Sequence, residues 1–544
     1  MLKPIPQKRA AWIAEKVRTM PPEEKIGQVM GLHFAGRDDE QIREAIETCR
    51  PGSVLAGPMD ADRAANIKRI FADYAVKHDI PCLLAGDCEM GAGIRGASTP
   101  FPWQMAVGAA DDEELAYTMG RATGLEARRH GLHWNFAPVV DLDLNFHNPM
   151  AFCRALGEEP GHVSRLARAF IRGCQEDGHM ACAAKHFPGD GVDPRDPHVI
   201  TSINTLGLDE WRRTFGRVYR EVIDEGVMSI MTGHIALPAV EDEAEGYLGP
   251  RPATMSRKLQ IDLLRGELGF DGLIVTDAID MIGYASRAPK PQRAWRAIAA
   301  GADVALRAEP RDLGWIAEAL DRGDLTQERL DDAVRHVLEL KARVGLLDGQ
   351  ADPAVTDADR KRFAVASEAI CEGAVTLVRD ATGLLPLKLE KGARVLTMDL
   401  QFSGKQRGAT QGLTEIPRAL EERGLRVDHK VSPLHGDFDL YPVIGDYGAI
   451  FVNFHIPPRY GNVKMHSEII DALWNAWWMD HGRVVFTSFA NPYILWELPW
   501  MPNYVNTFSN RPASQRAAVK VWLGEMPARG KSPVSLEGFF ERRV

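Results

Sequence analysis

Short apolar runs alternate with longer stretches of helical spacing through the first 345 residues of the chain. Unbroken apolar runs are typical of parallel β-strands that are buried on both faces. Eight such runs, each followed by a helical stretch, predict a (β/α)8 TIM-type barrel over residues 1–345, with a doubly wound open sheet as the alternative. The predicted strands are Val29–Phe34, Ser53–Leu55, Cys82–Ala85, Trp134–Val140, Met180–Ala184, Val227–Met231, Leu273–Thr276 and Val304–Leu306. The predicted helices are Asp39–Cys49, Ala61–Lys77, Asp112–Arg129, Glu159–Glu176, Asp209–Glu225, Ser256–Leu268, Gln292–Ala300, Leu313–Asp321 and a closing helix, Thr326–Val344.

A second, shorter alternation predicts a smaller α/β sandwich domain over residues 371–544. A weakly patterned stretch that contains Gly, Asp and Pro covers Leu346–Asp359, and we place a linker over residues 346–370. Within Arg360–Arg379 the pattern predicts a return to helix and then strand. The predicted strands of this domain are Arg394–Asp399, Ala449–Phe454, Arg483–Phe489 and Tyr504–Phe508, and its predicted helices are Glu415–Arg423, His466–Trp478 and Pro512–Trp522.

Three tryptophans fall on one face of the predicted helix His466–Trp478. Trp474, Trp477 and Trp478 are spaced by three and four residues, which brings them together on a helix. We interpret this face as core packing or a domain interface rather than a sugar-stacking platform.

Charge and cysteine content exclude several classes of function. The 544-residue chain has a net charge of −10 and no block of Lys and Arg, whereas phosphate-backbone binding needs clustered positive charge. We therefore expect no nucleic-acid partner. The seven cysteines are scattered and form no Cys-x-x-Cys pair, which favours reduced thiols in a reducing compartment. Because the chain shows no signal-type apolar segment and no apolar run of about 20 residues, we predict a cytoplasmic protein without a membrane partner. Its oligomeric state stays open.

Polar and charged residues follow six of the eight predicted barrel strands. In a barrel, the carboxyl ends of the strands meet at one rim, where binding and catalytic groups collect. These residues are therefore predicted to surround a single pocket. They are Asp87, Glu89 and Arg95 after the third strand, Asp141, Asp143 and Arg154 after the fourth, Lys185 and His186 after the fifth, Thr232 and His234 after the sixth, Asp277 and Asp280 after the seventh, and Arg307 after the eighth.

The loop that follows the fifth predicted strand concentrates these groups. It runs from Lys185-His186 through Pro188 and two glycines, and it contains Asp190, Asp193, Asp196 and His198. Polar groups crowded at a strand end and followed by Gly and Pro are typical of a substrate loop on a rigid scaffold.

A pocket of carboxylates and cations suits a polyhydroxylated neutral ligand, because each hydroxyl can donate to the former and accept from the latter. The chain has neither a Walker-type phosphate loop nor a Gly-x-Ser-x-Gly elbow. Cleavage of a glycosidic bond needs an acid/base and a second carboxylate. Asp277 is the candidate for attack. His198 with Asp196 is the candidate acid/base, although a hydrogen bond that merely stabilises the loop is the alternative for this pair.

Several segments resemble glycoside hydrolase family 3, and in particular its bacterial β-N-acetylglucosaminidase branch in the two-domain form. The resemblance covers nearly the whole chain in order. The segments that carry it are Met20–Met30, Asp87-x-Glu-x-Gly-x3-Arg95, Asn135–Asp141, Lys185-His-Phe-Pro-Gly-Asp-Gly191 with Asp196-Pro-His198, Gly272-Leu-Ile-Val-Thr-Asp277, Ala374–Arg379, Leu384–Leu387 and Arg529–Val534.

The resemblance implies a retaining exo-β-N-acetylhexosaminidase that removes terminal β-linked N-acetylglucosamine from a small carbohydrate. It implies a covalent glycosyl-enzyme on Asp277 and an acid/base formed by His198 with Asp196. No metal and no cofactor is expected. The residues implied to hold the sugar are Asp87, Arg95, Arg154, Lys185 and His186.

Two positions depart from the family's pattern, and they bear on loop mobility and aglycone preference. Asp190 stands where the family usually has His, and Pro197 stands where it usually has Ser or Thr. Pro197 removes a backbone donor and biases Asp196 toward an extended conformation.

Four alternatives remain at this stage. The chain could be a β-glycoside phosphorylase, because a histidine acid/base carries no negative charge that would repel phosphate. It could also be a β-glucosidase of the same family, or a catalytically inactive sugar-binding protein. The fourth is a barrel hydrolase with a metal held by His186, His198, His234 and Asp277, which is disfavoured because these histidines are dispersed along the chain.

Overall fold

The computed structural model describes residues 2–243, 246–349, 351–401, 413–431, 443–457 and 482–542. Eight parallel strands form a barrel in which each strand pairs with the next along the chain. Strand β1 also pairs with β8, and a bridge between Val275 and Val304 closes the ring. The predicted barrel is confirmed and the open doubly wound sheet is wrong. The strands are β1 (Met30–His33), β2 (Ser53–Leu55), β3 (Leu83–Gly86), β4 (Trp134–Asn135), β5 (Ala181–Phe187), β6 (Ser229–Thr232), β7 (Leu273–Thr276) and β8 (Ala305–Leu306).

Helices connect the barrel strands, and several begin at a side chain that caps the first turn. Asp112, for example, accepts a hydrogen bond from the backbone N–H of Leu115 and satisfies one of the free donors at that end. A π-helix, Lys258–Glu267, precedes β7. The α-helices of this part are α1 (Gln7–Thr19), α2 (Pro22–Gln28), α3 (Asp39–Cys49), α4 (Ala61–Lys77), α5 (Gln104–Ala110), α6 (Glu113–Arg129), α7 (Pro160–Gln175), α8 (Leu208–Arg213), α9 (Phe215–Glu225), α10 (Ile282–Ala285), α11 (Arg293–Ala300), α12 (Asp312–Arg322) and α13 (Gln327–Arg343).

The fourth and fifth strands differ most from their predicted ends. The predicted strand Trp134–Val140 ends early, at Asn135, because Pro138 has no N–H with which to continue the ladder. Only Val139 re-forms a bridge, to Lys185 on β5. Strand β5 extends three residues beyond its prediction, so Lys185 and His186 lie on rigid strand and not on the loop.

The second domain is built on a six-stranded sheet. Its strand order is β9-β14-β13-β12-β10-β11, with β9 antiparallel to β14 and the other pairs parallel. Phe451 and Trp522 stack at 4.4 Å in the core on one face of this sheet. Its elements are β9 (Thr376–Asp380), β10 (Arg394–Gln401), β11 (Arg426–Val431), β12 (Ala449–His455), β13 (Val484–Ser488) and β14 (Asn503–Asn506), with helices α14 (Asp357–Gly373), α15 (Glu415–Glu421), α16 (Ile494–Glu497) and α17 (Pro512–Trp522).

Helix α14 occupies the second half of the predicted linker over residues 346–370. This helix packs against α5 and α6 of the barrel and against α17 of the second domain. Thr356 and Asp359 form a reciprocal capping box at its start, which fixes the helix where the sequence pattern was weak. The predicted helix His466–Trp478, with its three tryptophans, lies outside the described residues.

Among the helices of the described ranges, none has both the length and the apolar character needed to span a membrane. All seven cysteines are buried as free thiols.

Candidate active site

A cavity of about 760 Å³ opens at the carboxyl ends of the barrel strands. A larger cavity of about 1060 Å³ lies at the opposite end, beneath the N-terminal segment, and contains none of the candidate residues. In barrels the carboxyl end is the catalytic face, so the smaller cavity is the candidate active site. Its wall is formed by Leu55, Asp87, Glu89, Met90, Trp103, Phe136, Met150, Arg154, Lys185, His186, Asp190, Pro197, His198, Met231, Gly233, Ile235, Asp277, Ala278, Met281, Leu306 and Arg307.

Asp277 follows β7 directly and presents its carboxylate to this cavity. Its backbone N–H donates to the carbonyl of Thr232 at 2.8 Å, and its Oδ1 accepts from the N–H of Ala278 at 2.7 Å. Burial raises the pKa of Asp277, but electrostatic attraction to three nearby histidines outweighs burial and lowers the pKa to about 2. The side chain is therefore an anion at neutral pH. These histidines are His186, His234 and His198.

His198 and Asp196 form a hydrogen-bonded pair on the loop after β5. His198 Nδ1 lies 2.8 Å from Asp196 Oδ1, which also accepts the backbone N–H of His198 at 2.8 Å. The Asp196 side chain is 1% exposed and that of His198 is 26% exposed. A buried carboxylate thus fixes one ring nitrogen, and the imidazole forms part of the cavity wall. Such a pair can hold a proton on His198 and present it to a ligand.

The loop that carries this pair is tied down on both sides. Both carboxylate oxygens of Asp193 contact the guanidinium of Arg195, and Oδ2 also accepts the N–H of Ile203 at 2.7 Å. On the other side, the N–H of Ile282 donates to the carbonyl of His198 at 3.0 Å, which links the loop to the segment after Asp277.

Lys185 lies at the centre of an ion-pair network between β3 and β5. Its Nζ lies 3.0 Å from Asp87 Oδ1 and 2.8 Å from Glu89 Oε1. Arg154 donates to Glu89 through two nitrogens, at 2.9 and 2.7 Å, in a bidentate pair. Burial raises the pKa of Glu89, but Arg154 and Lys185 lower it well below its usual range. The network fixes four charged groups on one side of the cavity.

Asp141 holds His186 from beneath the cavity. Asp141 Oδ2 lies 2.7 Å from His186 Nδ1, and Oδ1 accepts the backbone N–H of His186 at 3.0 Å. Burial raises the pKa of Asp141, but its contacts with His186 lower it overall. Since Nδ1 is engaged by Asp141, Nε2 is the nitrogen that His186 can offer to a ligand.

Of the eight candidate residues, six lie in the cavity wall, and a seventh, Asp196, hydrogen bonds to His198 in that wall. The exception is Arg95, which lies outside the cavity wall in the described part of the chain. Its side chain is 80% exposed and lies 3.9 Å from Asp60. Asp60 and Arg95 belong to two short paired strands, Met59–Asp60 and Ile94–Arg95, which place the guanidinium outside the cavity.

Two residues without an assigned role from the sequence, Glu89 and Asp141, hold the site together. Both lie in the segments that follow the third and fourth barrel strands, and the signals available were that position and the motif segments Asp87-x-Glu and Asn135–Asp141. Their partners lie 65 and 45 residues away along the chain.

The histidines of the metal alternative have separate partners. His234 is buried, with Nδ1 at 2.8 Å from the Thr254 hydroxyl and Nε2 at 2.9 Å from the Ala278 carbonyl. In the described part of the chain, His186, His198, His234 and Asp277 do not bring three donor atoms within 4.8 Å of one another. Their arrangement gives the metal alternative no support.

The second domain contacts the loop between β4 and α7 beside the cavity. The Tyr493 hydroxyl donates to Asp143 Oδ2 at 2.7 Å, and both residues are buried. Burial raises the pKa of Asp143 well above its usual range, and the hydrogen bond from Tyr493 opposes this shift. Trp496 packs on Phe146 of the same loop at 5.2 Å. The second domain therefore supports the loop that carries Arg154.

Replacing Tyr493 by Phe is expected to lower the free energy of unfolding by about 1–3 kcal/mol, because it leaves a buried carboxyl without its donor. Urea unfolding measures this change. Tyr247→Phe is the matched control, since Tyr247 is 97% exposed. Equal stability of the two variants would contradict a role for this contact.

Comparison with known proteins decides what kind of site this is. Residues 22–340 match the Glycosyl hydrolase family 3 N terminal domain. The chain belongs to glycosyl hydrolase family 3. Over 96% of its length this family 3 protein is 34% identical to a beta-N-acetylglucosaminidase/beta-glucosidase of Cellulomonas fimi, and the match covers 95% of that protein. The family resemblance and the enzyme class, a glycosidase, are thus confirmed.

Solved structures of two relatives superpose on nearly the whole family 3 chain. A beta-glucoside phosphorylase bound to 2FGlc has a TM-score of 0.87 at 28% identity, covering 98% of this chain and 97% of its own. A glycoside hydrolase family 3 beta-N-acetylglucosaminidase from Paenibacillus sp. str. FPU-7 has a TM-score of 0.81 at 26% identity, covering 97% of this chain and all of its own. Both similarities extend over the barrel and the second domain together.

Proposed function

We propose that this glycosidase is a retaining exo-β-N-acetylglucosaminidase that works by double displacement. The observation that carries the proposal is the His198–Asp196 pair on a tethered loop, in the wall of the same cavity as the ionised Asp277. A carboxylate that stays charged and a separate proton carrier are the two groups that this chemistry needs.

In the first step, a carboxylate oxygen of Asp277 attacks the anomeric carbon, and the bond from that carbon to the leaving oxygen breaks. His198 gives its Nε2 proton to the leaving oxygen while Asp196 stabilises the imidazolium through Nδ1. In the second step, His198 takes a proton from water, the water oxygen bonds to the anomeric carbon and Asp277 is released as a carboxylate. Two displacements at one carbon retain the β configuration.

The sugar hydroxyls are assigned to the charged side of the cavity. Lys185 and Asp87 offer a donor and an acceptor 3.0 Å apart, which suits a vicinal pair of hydroxyls. His186 offers Nε2, and Arg154 offers the guanidinium N–H groups that Glu89 and the Met150 carbonyl leave free. The exposed position of Arg95 removes it from this assignment.

A panel of aryl β-glycosides of glucose, xylose, N-acetylglucosamine and N-acetylgalactosamine tests the sugar specificity. The highest kcat/KM is expected on the N-acetylglucosaminide, and NMR should show the β-anomer as the first product. Preferential cleavage of the glucoside would instead establish a β-glucosidase, and a first-formed α-anomer would exclude retention.

Phosphorolysis is the second candidate, and the identity of the acid/base favours it. After His198 has given up its proton it is neutral, whereas a carboxylate in its place would be an anion and would repel incoming phosphate. The structural similarity to a beta-glucoside phosphorylase adds support. Appearance of a sugar 1-phosphate that depends on inorganic phosphate would establish this activity, and unchanged products at saturating phosphate would exclude it.

The low pKa of Asp277 predicts how the glycosylation step responds to pH. The carboxylate should stay ionised down to about pH 2, well below the usual range of an aspartate. With a 2,4-dinitrophenyl glycoside, whose leaving group needs no proton, the rate of the first turnover should therefore not fall between pH 6 and pH 3.5. Stopped-flow release of dinitrophenol measures it, and a fall with a midpoint near pH 4 would contradict the predicted ionisation.

A further inference from the structure

Asp141 holds a second residue besides His186. Its Oδ1 accepts the backbone N–H of Asp190 at 2.8 Å, so His186 and Asp190 are positioned by one carboxylate. The side chain of Asp190 is itself oriented by two donors. Its Oδ1 accepts from Asn148 Nδ2 and from the N–H of Gly191, both at 2.7 Å. Asp190 therefore has a fixed orientation in the wall of the cavity.

The second carboxyl oxygen of Asp190 remains available. Asp190 is 2% exposed and belongs to the wall of the cavity, and no described residue hydrogen bonds to its Oδ2. An acceptor that borders a cavity and is not used by a described residue is suited to a ligand. A hydroxyl or an amide can donate to this oxygen, whereas an anionic ligand group would be repelled by the neighbouring Asp141.

We propose that Asp190 is a specificity-determining residue that binds a hydroxyl of the sugar ring through Oδ2, beside the group that His186 Nε2 binds. This proposal rests on the assignment of the cavity to a pyranose glycoside. Asp190 and His186 then form a pair of ligand groups whose separation is fixed by Asp141.

The charge state of Asp190 fits this role. Burial, followed by repulsion from Asp141, raises the pKa of Asp190 to about 7. A protonated Oδ2 can donate to a hydroxyl oxygen as well as accept from it, which a carboxylate cannot do. The titratable groups that face Asp190 from the elements packed against it are Asp141 and Asp143 after β4, His186 on β5 and Tyr219 on α9.

A double-mutant-type cycle, in which kcat/KM of the wild type and of Asp190→Ala is measured on the parent substrate and on monodeoxy substrates, tests the contact directly. The substrate is the aryl glycoside that the wild-type enzyme cleaves best, together with its 3-, 4- and 6-deoxy analogues. In the wild type, loss of the contacted hydroxyl should lower kcat/KM by roughly 10- to 100-fold. In Asp190→Ala that one penalty should disappear, while the penalties for the other two positions persist. If all three penalties are the same in the variant as in the wild type, the proposal is overturned.

Asp190→Asn provides a second variant that keeps the fold. Its amide oxygen can still accept from Asn148 and Gly191, and only the group that faces the cavity changes. The penalty for the same single hydroxyl should change by several-fold in this variant, and an unchanged penalty would also overturn the proposal. Asp209→Asn is the matched control, since its side chain is 87% exposed on α8. The panel of aryl β-glycosides, measured on the wild type alone, decides the preferred sugar. Failure of the proposed sugar specificity is therefore distinguishable from failure of the proposal about Asp190.

Discussion

Replacing Asp277 by Ala is expected to lower kcat/KM on an aryl β-N-acetylglucosaminide by on the order of 10⁴-fold or more, because no covalent intermediate can then form. The fold should tolerate the change, since Asp277 makes its tertiary contact through its backbone N–H.

Azide distinguishes loss of the nucleophile from general damage to the site. In Asp277→Ala, azide can attack the anomeric carbon from the face that the carboxylate left, and it should give an α-glycosyl azide with restored turnover. Asp262→Asn is the matched control, because this aspartate lies exposed on the π-helix before β7. Undiminished turnover in Asp277→Ala would exclude this residue as the nucleophile.

Replacing His198 by Ala is expected to lower kcat/KM by about 10²- to 10⁴-fold on substrates with poor leaving groups, which is the range of general acid catalysis. The first step on a dinitrophenyl glycoside should be nearly unaffected, since that leaving group needs no proton. The second step still needs a base, so dinitrophenol should appear in a burst followed by slow turnover. A plot of log kcat/KM against leaving-group pKa should have a steeper slope for His198→Ala than for the wild type.

Asp196→Asn tests the pair without removing the imidazole. Asn keeps the size of the side chain but not the charge that stabilises the imidazolium. The loss of kcat/KM in Asp196→Asn should therefore depend on the leaving group in the same way as the loss in His198→Ala, but it should be smaller. Equal losses on all leaving groups would show that His198 only stabilises the loop.

The barrel is predictable because its signal is local. Each buried parallel strand is an apolar run, and each helix shows the roughly 3.6-residue spacing of its apolar positions. Strand β7 and the helices α3 and α4 therefore begin and end at the predicted residues. Strand β4 was overestimated because Pro138 interrupts an apolar run without changing its hydrophobicity. The first turn of helix α14 was placed in the linker because this polar turn, capped by Thr356, resembles a linker in composition.

The sequence predicts which residues belong to the site, but it does not predict which of them contact one another. The polar residues that follow β5 and β7 could be assigned to one rim from the barrel alone. The bidentate pair of Glu89 with Arg154 depends on the positions of two loops, which no local pattern gives. Arg95 fits the motif in sequence, but the short strand that contains it directs the side chain away from the cavity. Likewise, the contact between Tyr493 and Asp143 joins residues 350 positions apart.

The measurement that tests the account most directly is the location of a trapped glycosyl group. A fluorosugar with an activated leaving group should add one sugar mass to the intact enzyme, because the slow second step lets the intermediate accumulate. Mass spectrometry of the proteolysed enzyme should then place the added mass on Asp277, in the segment Gly272-Leu-Ile-Val-Thr-Asp277. A label on any other residue, or continuous turnover of the reagent with no label at any time, would contradict double displacement on Asp277.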